Sequence, residues 1–310
     1  MSIRTAVIVC DLKSKSRVPG YRQWPGKWPN GSSLAGKTFF ISPVEDSFDA
    51  DWLIYGAPGI ETFSTTVPKS RRILLILEPP EYWRPPVDLL DQFGWIVSPY
   101  FIPEFGGAQI PSVTTGLFWW YGVGMEGHRP TRVNLDWEGL VAEEPTPKLP
   151  LVSTVTSAKS FLPGHRARLM FTAMLGEALG DRLRVYGHGF REVEDKRDVL
   201  VPYQYHLAIE NSSHPHYWTE KLADPLLGRC KVFYYGATEV GRYFSSEAVV
   251  AIDIDRPQEA VDKILHSIQN EKVDHMEIER AREMVLRVYN FPFFIDKLID
   301  SIEVQVNLGV

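Results

Sequence analysis

At 310 residues, with 44% hydrophobic and 23% charged residues, the chain is long enough for two domains and too apolar for extended disorder. A formal net charge of -6 gives no reason to propose nucleic acid as a partner of the whole surface. Only two cysteines occur, Cys10 and Cys230, both in or beside apolar runs, which argues against a disulfide framework and for a reducing compartment.

The first apolar run, in MSIRTAVIVCDL, is too short for a signal peptide or a membrane helix and reads as a buried strand. The cytoplasm, including the inner face of the membrane, is the expected location. Runs at Ala6–Cys10, Thr38–Ile41, Trp52–Tyr55, Ile73–Leu77 and Trp95–Val97 have the length and composition of buried strands, separated by Gly, Pro and Asp clusters. Near residue 145 the stretch AEEPTPKLP combines prolines and charges without apolar periodicity, as a linker does. The expected domains are therefore residues 1–147 and 148–310.

Beyond the linker the pattern predicts strands at Leu149–Thr154, Leu183–Tyr186, His206–Ile209, Val232–Tyr234 and Val249–Ile252. Helices are expected from about Arg166 to Leu179, from about Thr219, and after Pro257, where Ala260, Val261, Ile264, Leu265 and Ile268 recur at helical spacing. This alternation predicts an α/β fold with a mostly parallel sheet covered by helices in each half. There is no internal repeat and no low-complexity tract.

One stretch stands apart. ENSSHPHYWTEKL, Glu210–Leu222, lies after a predicted strand and opens a predicted helix, where open α/β sheets bind ligands and helix N–H groups face an anion. Thr219 as a cap and Glu220 as a first-turn acid are explained by helix formation alone. That account leaves out Glu210, Asn211, Tyr217 and Lys221.

The stretch resembles the signature of glycosyltransferase family 10, the α-1,3/1,4-fucosyltransferases, whose pattern runs F-E-N-S-x-x-x-D-Y-x-T-E-K-L. Glu210, Asn211, Ser212, Tyr217, Thr219, Glu220, Lys221 and Leu222 match it in place. RVYGHGF (Arg184–Phe190), KVFYYG (Lys231–Gly236) and VVAIDI extend the resemblance over most of residues 150–290, and ILLILEPPEYW is similar to the family's strand ending in an E-S-P tripeptide. His216 stands where the family has Asp, Trp218 where it has a smaller residue, Ile209 where it has Phe, and Pro79 where it has Ser.

The resemblance implies a GT-B architecture, two Rossmann-like domains facing a central cleft. It further implies a bacterial-type inverting enzyme that moves fucose from GDP-fucose to a glycan hydroxyl, in surface glycan, lipopolysaccharide or protein glycosylation. By position, Arg168 (with Arg166 as the alternative) and Lys221 would bind the diphosphate, and Asn211, Tyr217 and Glu220 would contact phosphate, ribose or sugar. Glu78 aligns with the family's general base, and Glu81 is the fallback. The flanking departures leave open another GDP-6-deoxyhexose as donor, and a non-catalytic nucleotide-sugar or glycan binder is the alternative from another class. A lipid-linked acceptor would bring peripheral membrane contact.

No metal or other cofactor is expected. HPH at His214–His216 lacks a third ligand nearby, and DID at Asp253–Asp255 reads as the cap of the following helix. The basic loop Leu12–Lys37 carries Tyr21, Trp24 and Trp28, candidates to stack on an acceptor sugar, although a solvated loop explains them equally. GLFWWYG, with Trp119, Trp120 and Tyr121, reads more readily as core. The tail FPFFIDKLIDSIEVQVNLGV is amphipathic without a basic face and is expected to pack on the protein.

Overall fold

The computed structural model describes residues 4–10, 23, 32–35, 38–41, 50–58, 64–126 and 129–308. The first sheet is built from β1 (Arg4–Cys10), β2 (Ser32–Ala35), β3 (Thr38–Ile41), β4 (Trp52–Ala57), β5 (Arg72–Ile76), β6 (Trp95–Ser98) and β7 (Ala108–Pro111), with the short helix α1 (Val87–Leu90) between β5 and β6. Its order is β2-β3-β1-β4-β5-β6-β7. Every pairing is parallel except β2 with β3. An antiparallel pair, β8 (Val123–Glu126) and β9 (Arg129–Val133), and helix α2 (Trp137–Ala142) lead into the second half.

There β10 (Leu149–Val155), β11 (Leu183–Tyr186), β12 (Tyr203–Ile209), β13 (Lys231–Tyr235) and β14 (Val249–Ala251) form an all-parallel sheet of order β11-β10-β12-β13-β14. Helix α3 (Pro163–Leu179) follows β10 and α4 (Glu220–Leu227) follows β12. Three more helices close the chain, α5 (Pro257–Asn270), α6 (His275–Arg287) and α7 (Phe291–Leu308).

Period-two alternation explains both sheets. In the first, Leu53, Tyr55, Leu74, Ile76 and Ile96 pack on Leu90, Phe93, Ile102 and Phe105. Their neighbours Trp52, Ile54, Ile73, Leu75, Trp95 and Val97 join a core that includes Leu222 and Leu226 of α4 and Phe291, Ile295 and Ile299 of α7. In the second, Tyr205, Leu207, Ile209 and Phe233 pack with α3 and α5, whereas Ala208, Val232 and Tyr234 face the core shared with the first sheet. Strands this long and buried on both faces read as continuous apolar runs, which is why the sequence exposes them.

The first half departs from expectation in what covers it. Among the described residues its own helices are short, and α7 returns from the end of the chain to that sheet. Thr38 Oγ1 donates to Asp296 Oδ1 at 2.6 Å and Trp52 Nε1 to Glu303 Oε1 at 3.3 Å. The tail thus packs on the protein as expected. No helix among the described residues is long and apolar enough to cross a membrane.

Several polar contacts fix the two halves against each other. Asp224 of α4, almost fully buried, accepts from the backbone N–H groups of Trp120 and Tyr121 at 2.8 and 3.0 Å and from Lys196 Nζ at 2.6 Å. His216 N–H donates to Pro99 O at 3.1 Å. Trp119 and Tyr121 are core, as the sequence suggested.

Candidate active site

The second sheet reverses direction of growth at β10. Strand β11 lies on one side of it and β12 on the other, so α3 and α4 leave on opposite faces and a crevice opens beyond the strand ends. A cleft of about 310 Å³ occupies this place. Its floor comes from the loops after β10 and β12 and from the first turns of α3 and α4, and its opposite wall from the loop after β5.

Each element puts its residue there for a local reason. Helix α3 starts at Pro163, three residues before the expected Arg166, because proline's fixed φ suits a first turn although Pro-Gly-His carries no apolar periodicity. Gly164 lets that turn approach the other loop, since a Cβ there would sit 2.1 Å from Asn211 O. One turn on, Arg168 is buried; its guanidinium donates to Asn211 Oδ1 at 2.7 Å and to Ser157 Oγ at 3.3 Å, and its Nε has no partner. Burial lowers its pKa and Glu210 raises it, the first effect prevailing. Arg166 instead lies exposed and donates to Ser160 O and Phe161 O of its own loop.

Helix α4 is capped by Thr219, whose Oγ1 accepts from Lys221 N–H at 3.1 Å. Glu210, 1% exposed at the end of β12, accepts from Thr219 N–H and Oγ1, both at 2.9 Å. Lys221 Nζ stands 3.4 Å from Glu210 Oε2 and 3.4 Å from Glu220 Oε1. Desolvation works against the ammonium, but Glu220 and Glu210 outweigh it and hold the lysine charged. Desolvation likewise raises the Glu220 carboxyl, and Lys221 with Lys196 overrides it, leaving it at about 2.

Glu78, Arg168, Asn211, Tyr217 and Lys221 therefore line one cleft, together with Glu81. Glu220 lies beside it, in a small hollow with Lys196 and Asp224. Tyr217 is buried, and that burial with the charge of Glu210 raises its hydroxyl pKa. Glu78 sits two residues beyond β5. Desolvation raises its pKa most, Lys221 pulls it back, and Glu220 adds to the rise. Glu81 is exposed and meets His214 Nε2 at 3.1 Å; desolvation raises its pKa, but hydrogen bonds from His214 and Ser212 leave it below the ordinary value.

The two histidines of HPH have separate partners, His214 with Glu81 and His216 with Tyr243 at 2.7 Å. Asp253 does not cap α5: its carboxylate accepts from Asp255 N–H and Arg256 Nε at 3.0 Å each, one turn short of the helix. Tyr21, Trp24 and Trp28 lie outside the described residues. The sequence reading missed Ser157, Lys159, Phe161, His165 and Tyr82, which also line the cleft. The polar run TSAKS after β10 was the available signal for the first two.

No family model matches the chain. Its fold is similar to that of an α1,3-fucosyltransferase, at 15% identity over 92% of this chain and 90% of that one, with a TM-score of 0.48. An α1,3-fucosyltransferase with GDP-fucose gives 16% identity, 92% and 82% coverage and a TM-score of 0.48. A trehalose-6-phosphate synthase studied for glycosyl transfer with retention gives 7% identity, 97% and 99% coverage and a TM-score of 0.50. The likeness is one of fold, and with the two mainly parallel sheets it makes the architecture GT-B.

Proposed function

We propose that the chain is an inverting glycosyltransferase that moves fucose from GDP-fucose to a hydroxyl of a glycan acceptor. The observation that carries this reading is the composition of the cleft, where Glu78, the less exposed of two carboxylates from the first half, shares the lining with the cations Arg168 and Lys221 from the second. Cations and helix first turns suit a diphosphate, and a desolvated carboxylate on the other wall suits proton abstraction.

In this reading the acceptor oxygen attacks the anomeric carbon as the bond from that carbon to the diphosphate oxygen breaks, and the acceptor proton passes to Glu78. GDP departs as an anion neutralised by Arg168 and Lys221, with no metal or other cofactor required. Asn211 and Tyr217 hold the donor, and Glu220 acts by keeping Lys221 in place. The acceptor class is a surface or lipid-linked glycan, handled in the cytoplasm or at the inner face of the membrane.

The test is incubation with GDP-fucose and acceptors ending in N-acetylglucosamine or galactose, read by mass spectrometry and by the anomeric configuration of the product. A fucosylated product of inverted configuration is expected. GDP-fucose binding without transfer to any acceptor would favour the non-catalytic alternative, and transfer from a different GDP-6-deoxyhexose alone would change the donor.

A further inference from the structure

His165 is not among the residues to which the sequence motif assigns a role, yet it lines the cleft. It occupies the first turn of α3, is 5% exposed, and lines the cleft beside Arg168 and Leu162. Its Nδ1 is shut off from solvent without a hydrogen-bond partner. Packed interiors rarely leave a ring nitrogen in that condition unless another group completes it. The imidazole and the Phe161 ring are nearly perpendicular, at 88°, with centroids 4.5 Å apart. Arg168 Nε, on the same face of the same helix, is a second buried nitrogen without a partner.

The charges around the ring define what would complete it. Arg168 faces it from its own helix, Lys159 from the loop after β10 and Lys221 from α4. Tyr217 and the carboxylates Glu78 and Glu81 line the same cleft, and His214 is engaged with Glu81. Desolvation first, and then the three cations, hold the imidazole pKa below 6.5, so the ring is neutral in the empty cleft at neutral pH. A diphosphate entering there brings two negative charges, which offset the repulsion from the cations and offer acceptor oxygens to the ring.

We propose that His165 is a proton-coupled binding residue for the donor diphosphate: the ring takes up a proton as the nucleotide sugar binds and donates to a phosphate oxygen. This rests on the nucleotide-sugar reading of the cleft. The sign follows from linkage. The pKa of the ring is higher in the complex than in the free protein, so donor affinity is greatest below the free-state value. It weakens about tenfold per pH unit between the two values and is constant above the bound-state value.

Calorimetry of GDP-fucose binding at pH 6.5, in buffers of different ionisation enthalpy, counts the protons taken up. GDP-fucose is used rather than GDP because a terminal phosphate itself titrates near pH 6. The wild type is expected to take up a measurable fraction of one proton. His165→Gln and His165→Asn, which keep a donor but cannot titrate, should bind with none and with a dissociation constant flat in pH. His214→Gln should keep the uptake. Binding by the wild type without proton uptake, uptake that persists in both His165 variants, or uptake lost in His214→Gln alone would overturn the assignment. Failure of the wild type to bind GDP-fucose at any pH would be a different result, overturning the nucleotide-sugar reading together with it.

Discussion

Arg168 Nη1 donates to Asn211 Oδ1 over 2.7 Å, tying the helix that follows β10 to the loop that follows β12. The contact spans the crevice where the second sheet reverses, and it aims a guanidinium that residues distant in sequence hold in place.

Removing either cation should therefore weaken the nucleotide without unfolding the protein. Arg168→Ala and Lys221→Ala are each expected to cost about 1.5–3 kcal/mol of GDP binding, the range for a charge-assisted hydrogen bond. Arg166→Ala should leave GDP affinity near wild type, because that side chain is exposed and bonded to its own loop. Titration calorimetry on the three variants checks this, and unchanged affinity in both Arg168→Ala and Lys221→Ala would remove the phosphate assignment.

A second prediction concerns the joint between the halves. Asp224 serves two backbone N–H groups and Lys196, so Asp224→Ala leaves two backbone donors unpaired and takes from Lys196 its 2.6 Å partner, with only Glu220 remaining at 3.9 Å. It should lower stability by about 3–5 kcal/mol, with a smaller loss in Asp224→Asn. Thermal or urea unfolding measures the difference, and a variant as stable as wild type would show that the tie carries no energy.

The pH dependence of turnover follows from Glu78. Desolvation places its pKa above the ordinary carboxylate value of 4.5, with Lys221 opposing the rise. A general base works deprotonated, so kcat at saturating donor should fall as pH drops through that raised value. Lys221→Met removes the opposing charge and should move the acidic limb to higher pH. A wild-type limb at or below the ordinary value, or a downward move in the variant, contradicts the assignment.

Turnover should persist in chelator, since Arg168, Lys221 and the first turn of α4 supply the positive charge that a metal would otherwise bring. Assay of wild type in excess EDTA tests this, and loss of activity restored by manganese would return attention to Asp253 and Asp255.

Much of this site was legible because its residues are local. The run Glu210–Lys221 keeps a strand end, a capping threonine and a lysine within twelve residues, so their proximity is set by local chain geometry. Arg168 was separable from Arg166 only by burial, which depends on where α3 begins, and Pro163–Gly164 set that start without apolar periodicity. His165 was hidden in the same turn. The stretch near residue 145, expected to be a linker, lies between α2 and β10, but the return of α7 to Thr38 and Trp52 joins residues more than 250 positions apart. No window of sequence contains that pairing. The same holds for the fit of Gly116 against the Trp218 ring, where a Cβ would come within 2.0 Å.

The central claim is that Glu78 accepts the acceptor proton, and Glu78→Gln isolates it. Glutamine keeps the shape of the side chain and loses only the basic oxygen, while the residues proposed to hold the donor, Arg168, Asn211, Tyr217 and Lys221, come from the other half of the chain. With melting temperature and GDP affinity measured on the same preparation, kcat should fall by about 10²–10⁴ with GDP affinity nearly unchanged, and Glu81→Gln alongside should keep most of the activity. Wild-type kcat in Glu78→Gln, or a loss confined to Glu81→Gln, would contradict it.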